Sequence, residues 1–171
     1  KEELKNYDMV VLQHEIPLET VHYTVEFCSE NNIPVILNPE PAAEVPMEVV
    51  EIVTYLPPNE HEAVLIFGNE LSSEELLKKY AGKLLITQGS KGVSTCLETG
   101  EILTVPARPA KVVDTTGAGD TLNGAFSVQI ANGADIKTAL TFANTAASLS
   151  TEKFGAQTGM PTVSEVEKEL Q

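Results

Sequence analysis

Short apolar runs of strand length alternate with longer runs of helical periodicity along almost the whole chain. The spacing predicts strands at 9–12, 33–37, 52–56 and 84–87, and helices at 18–31, 46–50, 61–67, 72–81, 121–132, 136–150 and 164–170. Residues 93–97 and 102–105 flank Thr99-Gly100, which indicates an antiparallel hairpin. Because parallel strands need a long crossover between them, usually a helix, this alternation predicts an α/β fold with a mainly parallel sheet and helices on both faces.

Five polar or glycine residues lie within three residues of the ends of predicted strands. They are Glu15, Asn38, Asn59, Gly89 and Asp114, the last of which ends the short β-branched run 112–113. In parallel α/β sheets, ligands bind beyond the carboxyl ends of the strands. We therefore expect a binding site built from these strand ends.

Residues 111–126 carry the most specific candidate site. The turn Gly117-Ala118-Gly119 precedes a helix that the apolar spacing predicts to begin at Asp120 or Thr121. The backbone N–H groups of such a turn, with the positive end of the helix dipole behind them, favour an anion, most often a phosphate. Asp120 at the mouth is placed to take a proton from a hydroxyl that attacks this phosphate. The glycines alone are equally consistent with a tight turn and an N-cap aspartate.

Composition limits the partners and the compartment. The formal net charge of −14 and the single arginine, Arg108, oppose nucleic acid as a partner. No apolar run approaches the roughly 20 residues of a membrane span, and no signal segment opens the sequence, so we expect no membrane partner and a cytoplasmic location. We expect Cys28 and Cys96 to be reduced thiols, and His14 and His61 to be surface residues.

The ribokinase-like sugar kinases (the phosphofructokinase-B family) have a C-terminal signature that residues 114–121 (Asp-Thr-Thr-Gly-Ala-Gly-Asp-Thr) and 124–126 (Gly-Ala-Phe) resemble. Further segments that resemble family motifs are 13–19 (Gln-His-Glu-Ile-Pro-Leu-Glu), 38–42 (Asn-Pro-Glu-Pro-Ala), 59–62 (Asn-Glu-His-Glu) and 155–161 (Gly-Ala-Gln-Thr-Gly-Met-Pro). The resemblance extends from about Asp8 to Pro161. It implies a three-layer sandwich in which residues 1–171 are the C-terminal, nucleotide-binding part of one kinase domain, with no second domain. The family's N-terminal strands and lid would be absent, as in a fragment or a truncated homologue.

The resemblance implies transfer of the γ-phosphoryl group of ATP to a primary sugar hydroxyl, with D-ribose as the expected sugar. Asp120 would be the base and contact the sugar, while the N–H groups of Gly117, Ala118 and Gly119 would stabilise the transferred group. Glu15 would contact sugar hydroxyls, although an ordinary glutamate before a helix would look the same. The expected partners are the sugar and ATP, and the full-length protein is expected to be a homodimer.

The resemblance also implies a nucleotide site. Its residues would be Asn59, Thr87, Gly89, Ser90, Lys91, Gly92, Gly119 and Asn144, the last of which would face the adenine. From the residues alone, two structural interpretations stay open. Asn59 and Glu62 have the spacing of a helix capping box, and residues 87–92 have the composition of a polar glycine turn.

Two metal sites follow from the same resemblance. Glu62, with Asn59, would organise Mg²⁺ through water, which suits an ion that dehydrates reluctantly. A potassium site would take the carboxylate of Asp114 and mainly backbone oxygens of Thr116, Ser150, Lys153 and Gly155. The family has a serine where this chain has Gly159, so the backbone of Gly159 or a water would replace a hydroxyl ligand.

Three other functions are compatible with parts of this pattern. A kinase for another sugar, a sugar acid or a nucleoside would keep every nucleotide motif. A non-catalytic nucleotide-binding module would also keep them, and would show no turnover. A dinucleotide oxidoreductase fits worst, because residues 117–119 lack a third glycine, come late in the chain, and precede no strand that ends in an acidic residue.

Overall fold

The computed structural model describes residues 2–171, which form an α/β fold with a mainly parallel sheet, as predicted. The elements in chain order are β1 (Val10–Gln13), α1 (Leu18–Glu30), β2 (Val35–Asn38), α2 (Met47–Ile52), α3 (Glu60–Phe67), α4 (Ser73–Lys79), β3 (Leu85–Thr87), β4 (Val93–Cys96), β5 (Ile102–Val105), α5 (Ala118–Ala131), α6 (Ile136–Ser150), α7 (Ala156–Gly159) and α8 (Val163–Glu169). Short 3₁₀ turns lie at Glu2–Asn6 and Gly89–Lys91. The chain divides into two compact units. Unit 1 runs up to Gln88 and includes Ser94–Leu103, and unit 2 comprises Gly89–Val93 and Thr104–Gln171.

Parallel pairing orders the strands of unit 1. β1 and β2 are parallel, with Val10 opposite Val35 and Gln13 opposite Asn38. Isolated parallel bridges then join Ile36 to Tyr55 and Leu56 to Leu84. The strand predicted at 52–56 is therefore limited to 55–56, because α2 extends to Ile52 and the prolines at 57 and 58 have no N–H to donate to a ladder.

The hairpin predicted between residues 93 and 105 is confirmed. Strands β3, β4 and β5 are neighbours in that order. The turn between β4 and β5 is closed by the N–H of Leu97, which donates to Glu101 O at 2.8 Å, and by the N–H of Gly100, which donates to Leu97 O at 2.8 Å. A connection this short joins only antiparallel neighbours.

The core of unit 1 includes α1 and β2, together with buried residues of α2, α4, β3 and β4. Val21, Val25 and Cys28 of α1 have no exposed surface, and their spacing of four and three residues places them on one helical face. All four residues of β2 are buried, as expected for a strand covered on both sides. Cys28 and Cys96 are buried free thiols, in agreement with the prediction.

Unit 2 is built around the pair α5 and α6. Helix α8 also packs against α6. Ala139, Ala143 and Ala146 of α6 are buried beside Leu140, and Phe126 of α5 is 1% exposed. Small residues at these positions allow the helices to approach closely. Asp135 caps α6, since its carboxylate accepts the N–H of Thr138 at 2.9 Å.

Two local predictions in unit 2 were wrong. The pair Val112 and Val113 forms no strand and is about three-fifths exposed, because the N–H of Val113 donates to Thr151 O at the end of α6 instead of to a neighbouring strand. Asp114 therefore ends no strand. Helix α5 begins at Ala118 rather than at 120 or 121, because Gly117 adopts the left-handed conformation (φ 77°) and serves as the N-cap.

His14 was predicted to lie on the surface but is 7% exposed, whereas His61 is exposed as predicted. Among the described residues, neither ring nitrogen of His14 has a hydrogen-bond partner within bonding geometry. Burial lowers the pKa of His14 below its ordinary value, the nearby carbonyl of Pro41 opposes the shift, and His22 adds to it. Sequence spacing missed this burial because His14 follows β1 directly, at a position where the chain already turns toward α1.

We expect His14→Leu to raise the free energy of unfolding and to make that free energy depend less on pH in the acidic range. The gain at pH 7 should be about 1 kcal/mol, because unpaired buried polar groups cost free energy. Since the folded pKa of His14 is lowered, the unfolded state binds the proton more tightly, and the parent should lose stability as the pH falls below about 6.5. Urea unfolding at pH 7.5 and 5.0 measures both effects, with His61→Gln as the exposed control. An equally steep pH dependence in His14→Leu would contradict this account.

Candidate active site

The strand ends of unit 1 meet as predicted. Gln13 at the end of β1 lies opposite Asn38 at the end of β2, and a parallel bridge joins Asn59 to Thr87 at the end of β3. Glu15 is exposed two residues beyond β1. Asn38, Asn59 and Thr87 therefore lie at the carboxyl ends of successive neighbouring strand segments of this sheet. The contact of Glu15 with a sugar stays a prediction.

Asn59 and Glu62 form the capping box that their spacing indicates. The Asn59 N–H donates to Glu62 Oε2 at 2.8 Å, and the Glu62 N–H donates to Asn59 Oδ1 at 2.9 Å. Glu62 is nevertheless 4% exposed. Burial raises the pKa of this carboxyl, the backbone N–H of Asn59 opposes the shift, and the charge of Glu40 adds to it. A buried carboxylate with one oxygen already held suits a cation bound through water, so these residues fit hydrated Mg²⁺.

Thr87 forms a backbone hydrogen bond, and Gln88 forms two side-chain hydrogen bonds. The Thr87 N–H donates to Pro58 O at 2.9 Å. Next in the chain, Gln88 accepts from Ser94 Oγ at 3.0 Å, and its Nε2 donates to Glu60 Oε1 at 3.3 Å. Sequence reasoning gave Gln88 no role, yet this side chain ties the end of β3 to both β4 and the start of α3. The residue type gave no signal for this contact.

The loop Gly89–Gly92 lies in unit 2 and forms a single 3₁₀ turn, which the Gly92 N–H closes by donating to Gly89 O at 3.0 Å. Ser90 and Lys91 are exposed. Gly92 has φ +100°, and a Cβ there would lie 2.0 Å from Val105 O. Only glycine fits at this position, and the side chains of Ser90 and Lys91 remain accessible to a ligand.

The N-terminus of α5 has the geometry of an anion site. Gly117 provides no side-chain cap, and N–H groups in the first turn of a helix have no intrahelical acceptor. The Ala118 N–H donates to Thr115 O at 3.2 Å, while Thr121 donates to Gly117 O through both its N–H and its hydroxyl, at 2.9 and 2.8 Å. A Cβ on Gly117 would lie 3.1 Å from Ala156 Cα, so the turn packs closely on α7. Asp120 is exposed in this first turn.

Asp114 holds the segment before that turn. Its Oδ1 accepts the N–H and hydroxyl of Thr116 at 2.9 and 2.7 Å, and its Oδ2 accepts the Gly155 N–H at 2.9 Å. The hydroxyl of Thr116, followed by the N–H groups of Thr116 and Gly155, keeps the pKa of Asp114 below its usual value. The carboxylate thus links two segments that are 41 residues apart in the sequence.

The residues predicted for potassium gather in unit 2. Gly159 is buried, and a Cβ there would lie 2.7 Å from Ser150 O and 3.5 Å from Lys153 O. The Gly155 carbonyl accepts the Gly159 N–H at 2.8 Å. The carbonyl oxygens of Ser150 and Lys153 near Gly159 and the carboxylate of Asp114 that binds Gly155 are oxygen donors of the kind that a hard cation takes, so the donor set fits the ion. Within residues 2–171, no three His, Cys, Asp or Glu side chains form a metal-binding group of their own.

Asn144 is 5% exposed within α6. Its Nδ2 donates to the carbonyls of Val105 and Pro106, at 3.1 and 2.8 Å. The amide nitrogen is therefore used to hold the backbone at the end of β5. A contact between Asn144 and adenine stays a prediction.

Arg108 has a structural role that sequence reasoning missed. Its Nη1 lies 2.9 Å from Glu152 Oε1 and its Nε lies 2.7 Å from Glu169 Oε2, so it joins residues near the ends of α6 and α8. Arg108 keeps the pKa of Glu152 below its ordinary value. That the chain has a single arginine was the only signal in the sequence.

We expect Arg108→Met to lower the free energy of unfolding by about 1 kcal/mol, because it removes two charge-assisted contacts at a site that is only about a quarter exposed. The control is Lys78→Met, which breaks the exposed pair with Glu74 within α4 and should cost about 0.3 kcal/mol. Urea denaturation at pH 7 compares them. Equal losses would show that the Arg108 network adds nothing beyond a surface pair.

Among residues 2–171, no helix combines the length and the apolar character needed to cross a lipid bilayer.

Comparison with known proteins gives a consistent result. The model of the pfkB family carbohydrate kinases matches residues 1–163. Ribokinase of Bacillus subtilis is 51% identical over 169 residues, which cover 99% of this chain and 57% of that protein. Ribokinase of Lactococcus lactis is 48% identical, with 99% and 56% covered.

The solved structure of Arabidopsis thaliana ribokinase complexed with ribose and ATP matches with a TM-score of 0.89 and 32% identity, and covers 99% of this chain and 58% of that one. The chain thus spans a little over half the length of the relatives it matches. A family match over nearly all residues, together with this agreement in fold, decides the assignment. The chain belongs to the pfkB family of carbohydrate kinases.

Proposed function

We propose that this chain supplies the nucleotide-binding and phosphoryl-transfer part of an ATP-dependent sugar kinase that acts on D-ribose. The sugar and the nucleotide are suggested by relatives that are named ribokinases and by the Arabidopsis enzyme, which was solved with ribose and ATP. The observation that carries the proposal is the first turn of α5, where a glycine N-cap without a side chain is followed within three residues by Asp120.

In the proposed reaction, the oxygen of a primary sugar hydroxyl attacks the γ-phosphorus of ATP. The bond from that phosphorus to the bridging oxygen breaks, ADP leaves, and Asp120 accepts the hydroxyl proton. An alcohol is far too weak an acid to give its proton to a carboxylate in advance, so the proton moves late, as the new bond forms. Asp120 lies in the first turn of α5, directly after the turn that would hold the phosphoryl group.

The backbone of the α5 turn supports the same step. Negative charge gathers on the phosphoryl oxygens during the transfer, and the N–H groups of Gly117, Gly119 and Asp120 at the helix N-terminus would stabilise it, whereas the Ala118 N–H already donates to Thr115 O. Asp114 fixes the approach to this turn through Thr116 and Gly155, so the donors are held before the substrate arrives. Such prior orientation is the main contribution that a protein makes to phosphoryl transfer.

Other residues would hold the nucleotide and the ions. In unit 1, Asn59, Glu62 and Thr87 would hold hydrated Mg²⁺. In unit 2, the loop Gly89–Gly92 would bind phosphate. Bound Mg²⁺ would neutralise phosphate charge. Potassium at Asp114, Ser150 and Lys153 would stiffen the segment that leads to Gly117.

The test is a coupled ATP-consumption assay on the product of the complete gene, with D-ribose, 2-deoxy-D-ribose, D-fructose and inosine as acceptors. We expect the highest kcat/KM with D-ribose. Faster turnover of another acceptor would reassign the substrate but keep the kinase. Tight Mg-ATP binding by calorimetry without turnover of any acceptor would favour the non-catalytic nucleotide-binding module.

A further inference from the structure

Asn144 and the loop Gly89–Gly92 both lie against the backbone of residues 105–107 in unit 2. From α6, the single amide nitrogen of Asn144 donates to Val105 O at 3.1 Å and to Pro106 O at 2.8 Å. Both of its N–H bonds are used in this way, at a side chain that is 5% exposed. The end of β5 is therefore held from the α6 side.

Gly92 lies close to the same backbone. A Cβ at Gly92 would lie 2.0 Å from Val105 O, 2.7 Å from Ala107 N and 2.8 Å from the carbonyl carbon of Pro106. The backbone of Gly92 thus touches the peptide groups that Asn144 holds. Gly92 also closes the 3₁₀ turn of the loop, since its N–H donates to Gly89 O at 3.0 Å.

This arrangement couples the amide to the loop mechanically. If residues 105–106 moved away from α6, a buried amide would lose its acceptors, and an unpaired buried donor is costly. If they moved toward the loop, they would collide with Gly92, because packed interiors have little spare volume. Asn144 and Gly92 therefore both restrict the position of the same short stretch of backbone.

We propose that Asn144 is a positioning residue for the loop Gly89–Gly92, acting through Val105 and Pro106 rather than by contact with a nucleotide base. The statement that this loop binds phosphates rests on the proposed function. The statement that Asn144 orders the loop rests on the geometry alone.

The first test separates positioning from base recognition. Asn144→Asp keeps the shape but replaces the donor with an acceptor that faces two carbonyls. In the product of the complete gene, we expect the Kd values of Mg-ATP, Mg-GTP and Mg-tripolyphosphate, which has no base, to rise by the same factor, roughly 3–30. Thr145→Val is the matched control, because Thr145 is also buried in α6 and its hydroxyl donates to Thr141 O within the helix. Weaker binding of ATP alone would overturn the proposal in favour of a base contact.

The second test needs no nucleotide. Hydrogen exchange of the Gly92 N–H should accelerate about tenfold in Asn144→Asp and stay unchanged in Thr145→Val. If the parent protein binds no nucleotide, the proposed function fails, and this exchange rate still decides the positioning role. If Asn144→Asp does not fold, Asn144→Ser replaces it, because the shorter serine side chain cannot reach the carbonyls of Val105 and Pro106. Unchanged exchange at Gly92 in the folded variant would overturn the proposal.

Discussion

Asp120→Asn should lower turnover by roughly 10²–10⁴-fold, the range typical of a lost general base, while leaving the fold and the affinity for Mg-ATP close to those of the parent. Asparagine has nearly the same shape as aspartate but cannot accept the proton of the sugar hydroxyl. Since Asp120 is exposed in the first turn of α5, its loss creates no cavity. The measurement is kcat with D-ribose in the product of the complete gene, together with calorimetric binding of Mg-ATP.

Two control variants sharpen this comparison. Asp114→Asn removes charge from the carboxylate that binds Thr116 and Gly155, and should weaken any potassium response without removing the base. Asp135→Asn changes an N-cap of α6 that has no proposed chemical role, and should leave turnover unchanged. Near-normal turnover in Asp120→Asn would reduce Asp120 to a helix-terminus charge and refute the proposed mechanism.

Gly92→Ala should lower the free energy of unfolding by about 2–5 kcal/mol. The new Cβ would lie 2.0 Å from Val105 O, and the residue would keep a left-handed φ of +100°. Gly100→Ala is the matched control, because Gly100 has φ +86° but no heavy atom within 4 Å of its added Cβ. The difference between the two losses, measured by chemical denaturation, isolates the collision from the dihedral strain. Equal losses of unfolding free energy in the two variants would show that the backbone at Val105 moves away from the new methyl group at no cost.

Local sequence patterns predicted the parts of the structure that depend on neighbouring residues. The capping boxes at Ser72 and Thr162, like that at Asn59, all form as their three-residue spacing indicates. The reason is that donor and acceptor lie within one helical turn, so no distant residue can change the outcome. The order of strands and helices was also predictable, because apolar periodicity reports which face of each element is buried.

Contacts between distant parts of the chain were beyond the reach of the sequence. The run at 112–113 has strand-like residues, but the N–H of Val113 donates to the carbonyl of Thr151, which is nearly 40 residues away in the sequence. The clamp from Asp114 to Gly155 and the bonds from Asn144 to residues 105–106 are equally remote. The family resemblance made Asp114 and Asn144 candidates, but only the fold shows what each side chain contacts.

The start of α5 shows why its boundary was predicted wrongly, while the anion site at 117–120 stays a prediction. The glycine-rich composition predicted an anion site at 117–120, and such a site tolerates a shift of two residues in the helix start. The left-handed φ of Gly117 decides the boundary, and composition permits but does not require that conformation. As a consequence, Gly119 and Asp120 belong to the helix itself and lie where its dipole is strongest.

The central claim is that the first turn of α5 holds the transferred phosphoryl group. It is tested most directly by recording backbone amide shifts in the product of the complete gene as ADP, Mg²⁺ and aluminium fluoride are added, since this mixture mimics the transition state of phosphoryl transfer. We predict large shifts at Gly119 and Asp120. The first-turn amides of α6, where the N-cap Asp135 accepts the N–H of Thr138, should barely move. Shifts at α6 equal to those at α5, or no shift at Gly119 in a protein that binds the mimic, would contradict the claim.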